Sequence, residues 1–302
     1  MCGIVGIFSK SPSIAEQLGA HLARMLVQMG DRGPDSAGVA IYRDPLPAGM
    51  SKVSLHAPAG AVDWDEVRAQ FATALGVQAA HVVGERHALF TVGAEAEEAQ
   101  AWIGEHLPEL RVISAGHAIE IYKEALTPRD FAQRFALEGL RGSHALGHTR
   151  MATESRVTTE GSHPFSTGMD LCLVHNGSLS NHNRLRRSLR REGIAFQTEN
   201  DSEVAAGYLT WRLREGATLE QALAGCLEDL DGFYTFAVGT ADGFAVLRDP
   251  IACKPAVMAE TDDWVAMASE YRALAVLPGA AEAELWEPEP GRVYSWGKEV
   301  VA

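Results

Sequence analysis

The sequence predicts an α+β fold in which helices are layered on sheets, and three features predict it. Short apolar strands alternate with amphipathic helices along the whole chain, tight turns rich in Gly, Pro and Asn separate them, and residues 51–116 carry their own β-α-β-β-α-β order. The opening run Ile4-Val5-Gly6-Ile7-Phe8 reads as a strand. Ser13-Ile14-Ala15-Glu16 then reads as a capping box, and Ile14, Leu18, Leu22, Met25, Leu26 and Met29 recur at helical spacing in one helix that stops at Gly30. The turn Asp31-Arg32-Gly33-Pro34-Asp35 leads into 36–42, an apolar run suited to a central strand.

Within 51–116 the pattern gives a strand at 53–56, a helix at 64–75, a strand pair at 80–83 and 88–92, a helix at 95–106 and a strand at 111–114. That order is that of a ferredoxin-like split unit, here expected as a subdomain inserted between residues 1–50 and 117–302 of the main domain. The apolar helix face of Trp64, Val67, Phe71 and Leu75 is explained by packing on a small sheet. Beyond it, 118–124 predicts a strand and 128–137 a helix, before 145–148 re-enters the main sheet. Further strands are expected at 171–175, 234–238, 244–247, 256–258 and 265–268, with helices at 183–192, 203–214 and 219–230.

Composition narrows the function classes. A chain of 302 residues with 46% hydrophobic and 22% charged side chains can bury one large core, or one core plus an appended module. No run approaches the roughly 18 apolar residues of a membrane span, and no basic region precedes the first strand. Cys2, Cys172, Cys226 and Cys253 form no C-x-x-C pair, which argues against a zinc knuckle or disulfide framework and fits a reducing cytoplasm. A formal net charge of -14 excludes broad binding to nucleic acid or anionic lipid. One local exception is Arg184, Arg186, Arg187, Arg190 and Arg191, which reads as a solvated helix face first and a docking surface for an acidic partner or ligand second. There is no G-x-G-x-x-G opening a helix and no ligand cluster at metal spacing, so no cofactor or metal is expected on this chain; His144 and His148 are four apart but fall on strand and loop.

The residues that carry chemistry begin at the N-terminus. Cys2 taken alone reads as a packed or inert thiol. Its position changes that reading. Removal of Met1 leaves Cys2 with a free α-amino group, whose pKa of about 7.7 to 8.0 suits a general base near neutral pH, so nucleophile and proton acceptor sit on one residue. Hydrolysis of an amide by such a thiol passes through a tetrahedral oxyanion and needs donors where that charge develops. His175-Asn176-Gly177, directly after the apolar run 171–174, offers a side-chain amide and a glycine N–H at a sharp turn; an ordinary strand-ending Asn-Gly turn is the alternative. Arg150 can grip an α-carboxylate with a bidentate guanidinium. Asp201 can pair with an α-ammonium or, standing where a helix begins, cap that helix.

Taken together and in order, Met1-Cys2-Gly3-Ile4-Val5-Gly6, Asp31-Arg32-Gly33-Pro34-Asp35-Ser36-Ala37-Gly38, Gly147-His148-Thr149-Arg150, Ser162-His163-Pro164-Phe165, His175-Asn176-Gly177 and Asn200-Asp201-Ser202-Glu203 closely resemble the class II glutamine amidotransferase domain. The likeness covers about 1–45 and 140–270, including Arg248-Asp249-Pro250 and Ala268-Ser269-Glu270. It implies the four-layer αββα sandwich of N-terminal-nucleophile (Ntn) hydrolases, with Cys2 as nucleophile, Asn176 and Gly177 as oxyanion hole, and Arg150 and Asp201 as clamps on glutamine. On the substrate side it also implies Thr153 lining the pocket and Arg32 supporting the N-terminal turn. Two positions depart from the phosphosugar-making relatives, which carry Trp and His where this chain has Met151 and Glu154.

The amidase domain and its insert use almost the whole chain, so the acceptor chemistry is expected on another polypeptide. Within the family, 149–155 and 159–168, together with the insertion, are most similar to the amidotransferase component of glutamate-synthase-like complexes, specifically that of N-methylglutamate synthase (methylamine-glutamate N-methyltransferase). That likeness implies a glutamate-synthase-like partner carrying flavin (FMN), with a further companion subunit, and an iron-sulfur cluster on the partners. Two other readings stay open: a stand-alone hydrolase of γ-glutamyl amides, and a non-catalytic glutamine-binding subunit, which retention of Met1 would favour.

Overall fold

A computed structural model of the chain describes residues 2–58, 60, 62–152 and 157–297. The main body opens with β1 (Gly3–Ser9), α1 (Pro12–Glu16), α2 (Leu18–Gln28) and β2 (Ser36–Tyr42). There follow β3 (Ser51–His56), α3 (Trp64–Ala74), β4 (Val77–Val83), β5 (His87–Val92), α4 (Ala96–His106) and β6 (Arg111–Gly116). The chain continues through β7 (Ile119–Glu124), α5 (Pro128–Arg134), β8 (His144–Arg150), β9 (Cys172–Leu179), α6 (His182–Arg191), α7 (Asp201–Arg214) and α8 (Leu219–Asp229). It closes with β10 (Gly232–Thr240), β11 (Gly243–Arg248), β12 (Val257–Glu260), β13 (Trp264–Ala268), α9 (Tyr271–Leu274), β14 (Glu284–Trp286) and β15 (Val293–Gly297).

Two antiparallel sheets face each other, one ordered β14-β12-β13-β1-β8-β2-β7 and the other β15-β11-β10-β9. Strand alternation sends successive side chains to opposite faces, and here both faces are buried. In β1, Ile4 joins the inter-sheet layer with Leu146, Val174, Phe244 and Met267, while Val5 and Ile7 meet Leu22, Met25 and Leu26 of α2. In the second sheet Leu173, Phe236 and Val238 turn outward onto Val204, Leu209 and Leu223 of α7 and α8. Helix, sheet, sheet, helix is therefore the layer order, the αββα sandwich the sequence implied. Burial on both faces is also why these strands read as near-continuous apolar runs.

The unit at 51–116 has strand order β4-β5-β3-β6, all antiparallel, with Phe71, Phe90, Val53 and Ile103 in a core of its own. This is the ferredoxin-like order. Its junction with the main body is polar and buried. Asp170 N–H donates to Ala115 O at 3.1 Å while its carboxylate accepts from the N–H groups of His117, Ala118 and Ile119 just beyond the unit at 2.8 to 3.0 Å, and Lys52 pairs with Glu120 at 2.9 Å.

Three local expectations need correction. The helix expected from Ile14 to Met29 is two, broken at Gln17. The 140–142 segment takes the bond that would bridge them: Gly19 N–H donates to Leu140 O, and Ala15 O accepts from Gly142 N–H. The N-cap is Ser11, with no side-chain cap bond, rather than Ser13. Finally, β9 runs on to Leu179, so His175-Asn176-Gly177 lies inside a strand and not at a turn beyond it.

Candidate active site

Register brings the sequence motifs to one end of the sandwich. Gly3 pairs with Thr149 and Ser36 with Arg150, so the starts of β1 and β2 and the end of β8 share an edge. Val5 pairs with Ala268, which places Ser269 and Glu270 beside Cys2. From the facing sheet, β9 delivers Asn176.

Cys2 is held through its backbone. Its carbonyl accepts from Arg32 Nε at 2.9 Å and from Asn176 Nδ2 at 3.2 Å, while among the described residues its Sγ makes a long 3.9 Å contact to Met151 O. The Asn176 amide donates in addition to Ser269 Oγ at 3.1 Å, and Ser269 Oγ accepts from Ile4 N–H at 2.9 Å. Arg32 Nη1 donates to Glu270 at 2.6 Å; that bond, with the neighbouring Arg272, holds the Glu270 carboxyl below its ordinary range. Arg32 thus grips the backbone of Cys2, which places it behind the thiol. Both amide hydrogens of Asn176 are engaged with Cys2 O and Ser269 Oγ, so a developing oxyanion must share or displace one of them.

Gly177 permits the approach of β9 to β10. Its φ is +150°, and a Cβ there would lie 2.0 Å from Phe233 O and 2.6 Å from His175 Nε2. Gly177→Ala is expected to displace Asn176 and to cost at least tenfold in amide hydrolysis, with a lowered Tm; wild-type turnover in that variant would show that the strand tolerates the side chain.

Arg150 follows Thr149, the partner of Gly3, and Asp201 begins α7. Arg150 Nη1 donates to Gly161 O at 2.8 Å. Asp201 Oδ2 accepts from Leu179 N–H at 2.9 Å, and its other oxygen is 4.0 Å from His175 Nδ1. The capping role weighed for Asp201 belongs to Asn200, whose side chain accepts from Ser202 N–H. Thr153 and Glu154 lie outside the described residues; Met151, whose carbonyl lies 3.9 Å from Cys2 Sγ, is 46% exposed.

Sequence reasoning missed the layer beneath. His148 and His163 stack at 4.0 Å, and Ser202 Oγ lies 2.9 Å from His163 Nε2 and 2.8 Å from His175 Nδ1. One hydroxyl can donate to one ring and accept from the other, which requires the ring that accepts the hydroxyl proton to be neutral. Burial pushes His148 down to about 3, His175 down to about 4 and His163 well below its ordinary value. Lys123 Nζ, also buried and lowered to about 8, donates to the carbonyls of Glu160, Ser162 and Pro164 and so holds the 160–164 segment that carries Gly161. These residues are far apart in sequence and follow no period, so only the motifs containing them pointed here.

The other thiols are placed differently. Cys172 and Cys226 are buried, with burial pushing Cys172 up to about 12 and Cys226 further; Cys253 is exposed, and all four cysteines are free. In the arginine-rich helix α6, Arg186 is buried and paired with Glu199, and Arg190 lies over Phe196. Among the described residues no group of three or more His, Cys, Asp or Glu is arranged to hold a metal, and no helix is long and apolar enough to cross a membrane.

Stacked antiparallel sheets between helical layers, with Cys2 at the head of a central strand, define the Ntn-hydrolase class of fold. A family model described as a glutamine amidotransferase domain matches residues 148–276. The chain is 54% identical over 303 residues to the glutamine amidotransferase-like protein GlxB of Rhizobium meliloti (strain 1021), covering 100% of both. It is 31% identical to a putative glutamine amidotransferase of Methanothermobacter thermautotrophicus, over 97% of this chain and 99% of that one. Among solved structures, glutamine phosphoribosylpyrophosphate amidotransferase from B. subtilis matches with a TM-score of 0.63 at 22% identity, over 99% of this chain and 48% of that chain, a likeness of fold. The chain belongs to the class II glutamine amidotransferase family.

Proposed function

We propose that this chain hydrolyses the side-chain amide of glutamine, or of a γ-glutamyl amide, with Cys2 as nucleophile, and passes the nitrogen to a glutamate-synthase-like partner. The observation that carries the reading is the convergence of Arg32 and Asn176 on the carbonyl of Cys2 at the head of β1. The α-amino group of Cys2 accepts the thiol proton as sulfur attacks the amide carbon. The tetrahedral oxyanion is stabilised by Asn176 and the Gly177 N–H, and the C–N bond breaks as the proton passes to the leaving nitrogen. Water then hydrolyses the thioester to release glutamate. Arg150 takes the substrate α-carboxylate and Asp201 its α-ammonium.

The finer reading is N-methylglutamate synthesis from methylamine and glutamate, with flavin (FMN) and an iron-sulfur cluster on companion subunits and none on this chain. It rests on the sequence likeness of 149–155 and 159–168. The 51–116 unit, taken as a subdomain inserted into a 1–50 and 117–302 body, is the natural surface for the synthase partner.

Asp201→Asn tests the site without removing the acceptor for Leu179 N–H. The KM for glutamine is expected to rise at least tenfold with Tm little changed, since the amide keeps the backbone bond but loses the charge. An unchanged KM would reject the ammonium clamp. The partner reading is tested by measuring glutamine hydrolysis by the purified chain alone and with its companion subunits: activity that is weak alone and rises on assembly supports a role within a complex, whereas full turnover alone supports a stand-alone hydrolase.

A further inference from the structure

A cleft of about 730 Å³ opens between the 51–116 unit and the main body, walled on one side by α4 and β6 and on the other by 166–171 and α7. Sites that bury small organic molecules span about 300–1,000 Å³. Cys2, Arg150, Asn176 and Asp201 do not line it, so it is separate from the glutamine site.

The lining has a definite chemistry. Ile103, Ile113, Leu171 and Leu213 supply an apolar surface, and two guanidinium groups, Arg111 and Arg214, face the same space. Arg111 donates to Pro108 O and Arg214 to Glu192 O, which leaves further N–H donors on each. Against them stand Glu97, exposed on α4, and Glu203. The Glu203 carboxylate is already matched by the N–H groups of Gln197 and Thr198 and the Thr198 hydroxyl, each at 2.7 Å. Ser114 also lines the cleft; it is 2% exposed, and its Oγ has no hydrogen-bond partner among the described residues.

We propose that this cleft binds a small organic anion, a carboxylate on an apolar body, and that its occupancy regulates glutamine hydrolysis. The regulatory half rests on the function proposed above. The anionic group is recognised by Arg111 and Arg214, and the apolar surface takes the body of the ligand. The route to the active site is short in structure. Glu203 sits in the first turn of α7, two residues from Asp201, and its carboxylate fixes 197–198 immediately before that turn. A ligand that shifts this carboxylate shifts the residue assigned to the glutamine ammonium.

The test uses the full chain and 8-anilinonaphthalene-1-sulfonate, an organic anion with an apolar body whose fluorescence reports binding without reference to activity. One saturable site is expected. Affinity should fall at least tenfold in Arg111→Ala combined with Arg214→Ala, and binding should be lost in Ala195→Trp, which fills the cleft from an exposed position, with Tm unchanged in both. Saturating probe should change the KM for glutamine at least twofold in the wild type and not in Ala195→Trp. Absent binding, or binding equal across the variants, would overturn the site. Variant-sensitive binding that leaves the KM unmoved would overturn the regulatory link alone, and a chain without glutamine hydrolysis would overturn the functional reading while leaving the binding result legible.

Discussion

Cys2→Ser is expected to lower glutamine hydrolysis by several orders of magnitude while the protein folds as before. A hydroxyl is a far weaker nucleophile than a thiol near neutral pH, and the same α-amino base cannot compensate. The fold should survive because the bonds that secure this residue run through its carbonyl, to Arg32 and Asn176, whereas among the described residues its sulfur makes just the 3.9 Å contact to Met151 O. Cys172 and Cys226 are buried with thiols held protonated, so neither can take over. Rates with glutamine, read beside a thermal melt, check the expectation. Unchanged hydrolysis in a folded Cys2→Ser protein would remove Cys2 from the mechanism.

Loss of stability below neutral pH is the second large effect. His56 and His175 are lowered to about 4 and His87 and His148 to about 3, in each case chiefly by burial. In the unfolded chain these groups titrate near 6.5, and a tenfold change in proton affinity is worth about 1.4 kcal/mol. Below that pH the unfolded state binds protons that the folded state refuses. Stability is therefore fully present above about 6.5 and falls as pH drops toward the folded values. Acting together, four such groups, each worth roughly 2 kcal/mol by pH 5, give a loss on the order of 8 kcal/mol. Urea unfolding at pH 7.5, 6 and 5 measures it: a flat free energy from 7.5 to 5 would mean that the histidines charge without disturbing the sandwich.

The layered fold was legible because its strands are buried on both faces and its helices on one. The runs 4–8, 36–42 and 234–238 have no other stable placement, and the β-α-β-β-α-β order at 51–116 is distinctive in itself. What escaped is set by partners distant in sequence. The helix break at Gln17 exists because Leu140 and Gly142 take its hydrogen bonds. The strands β14 and β15 are short, interleave Trp and Tyr with polar residues, and are defined by pairing with β12 and β11. Asn176-Gly177 carries the local signature of a turn, yet pairing with Tyr234 and Thr235 keeps it in the strand.

The site was legible as motifs and not as geometry. Position 2 and the Asn-Gly and Asn-Asp pairs pointed to Cys2, Asn176 and Asp201, but nothing local distinguishes Asn200 from Asp201 as the cap. Ser269 and Glu270 stood out only as a late family motif; their task of fixing Asn176 and Arg32 needs the register of β13 against β1. The stacked imidazoles of His148 and His163, His175 and the Ser202 that joins it to His163 come from four separate segments, so no spacing rule finds them.

The most direct measurement is intact mass of the purified protein before and after 6-diazo-5-oxo-norleucine, a glutamine analogue that alkylates such nucleophiles, followed by peptide mapping. The account predicts loss of Met1 and a single adduct on Cys2. A retained Met1 with no adduct, or an adduct on Cys253 alone, would contradict it.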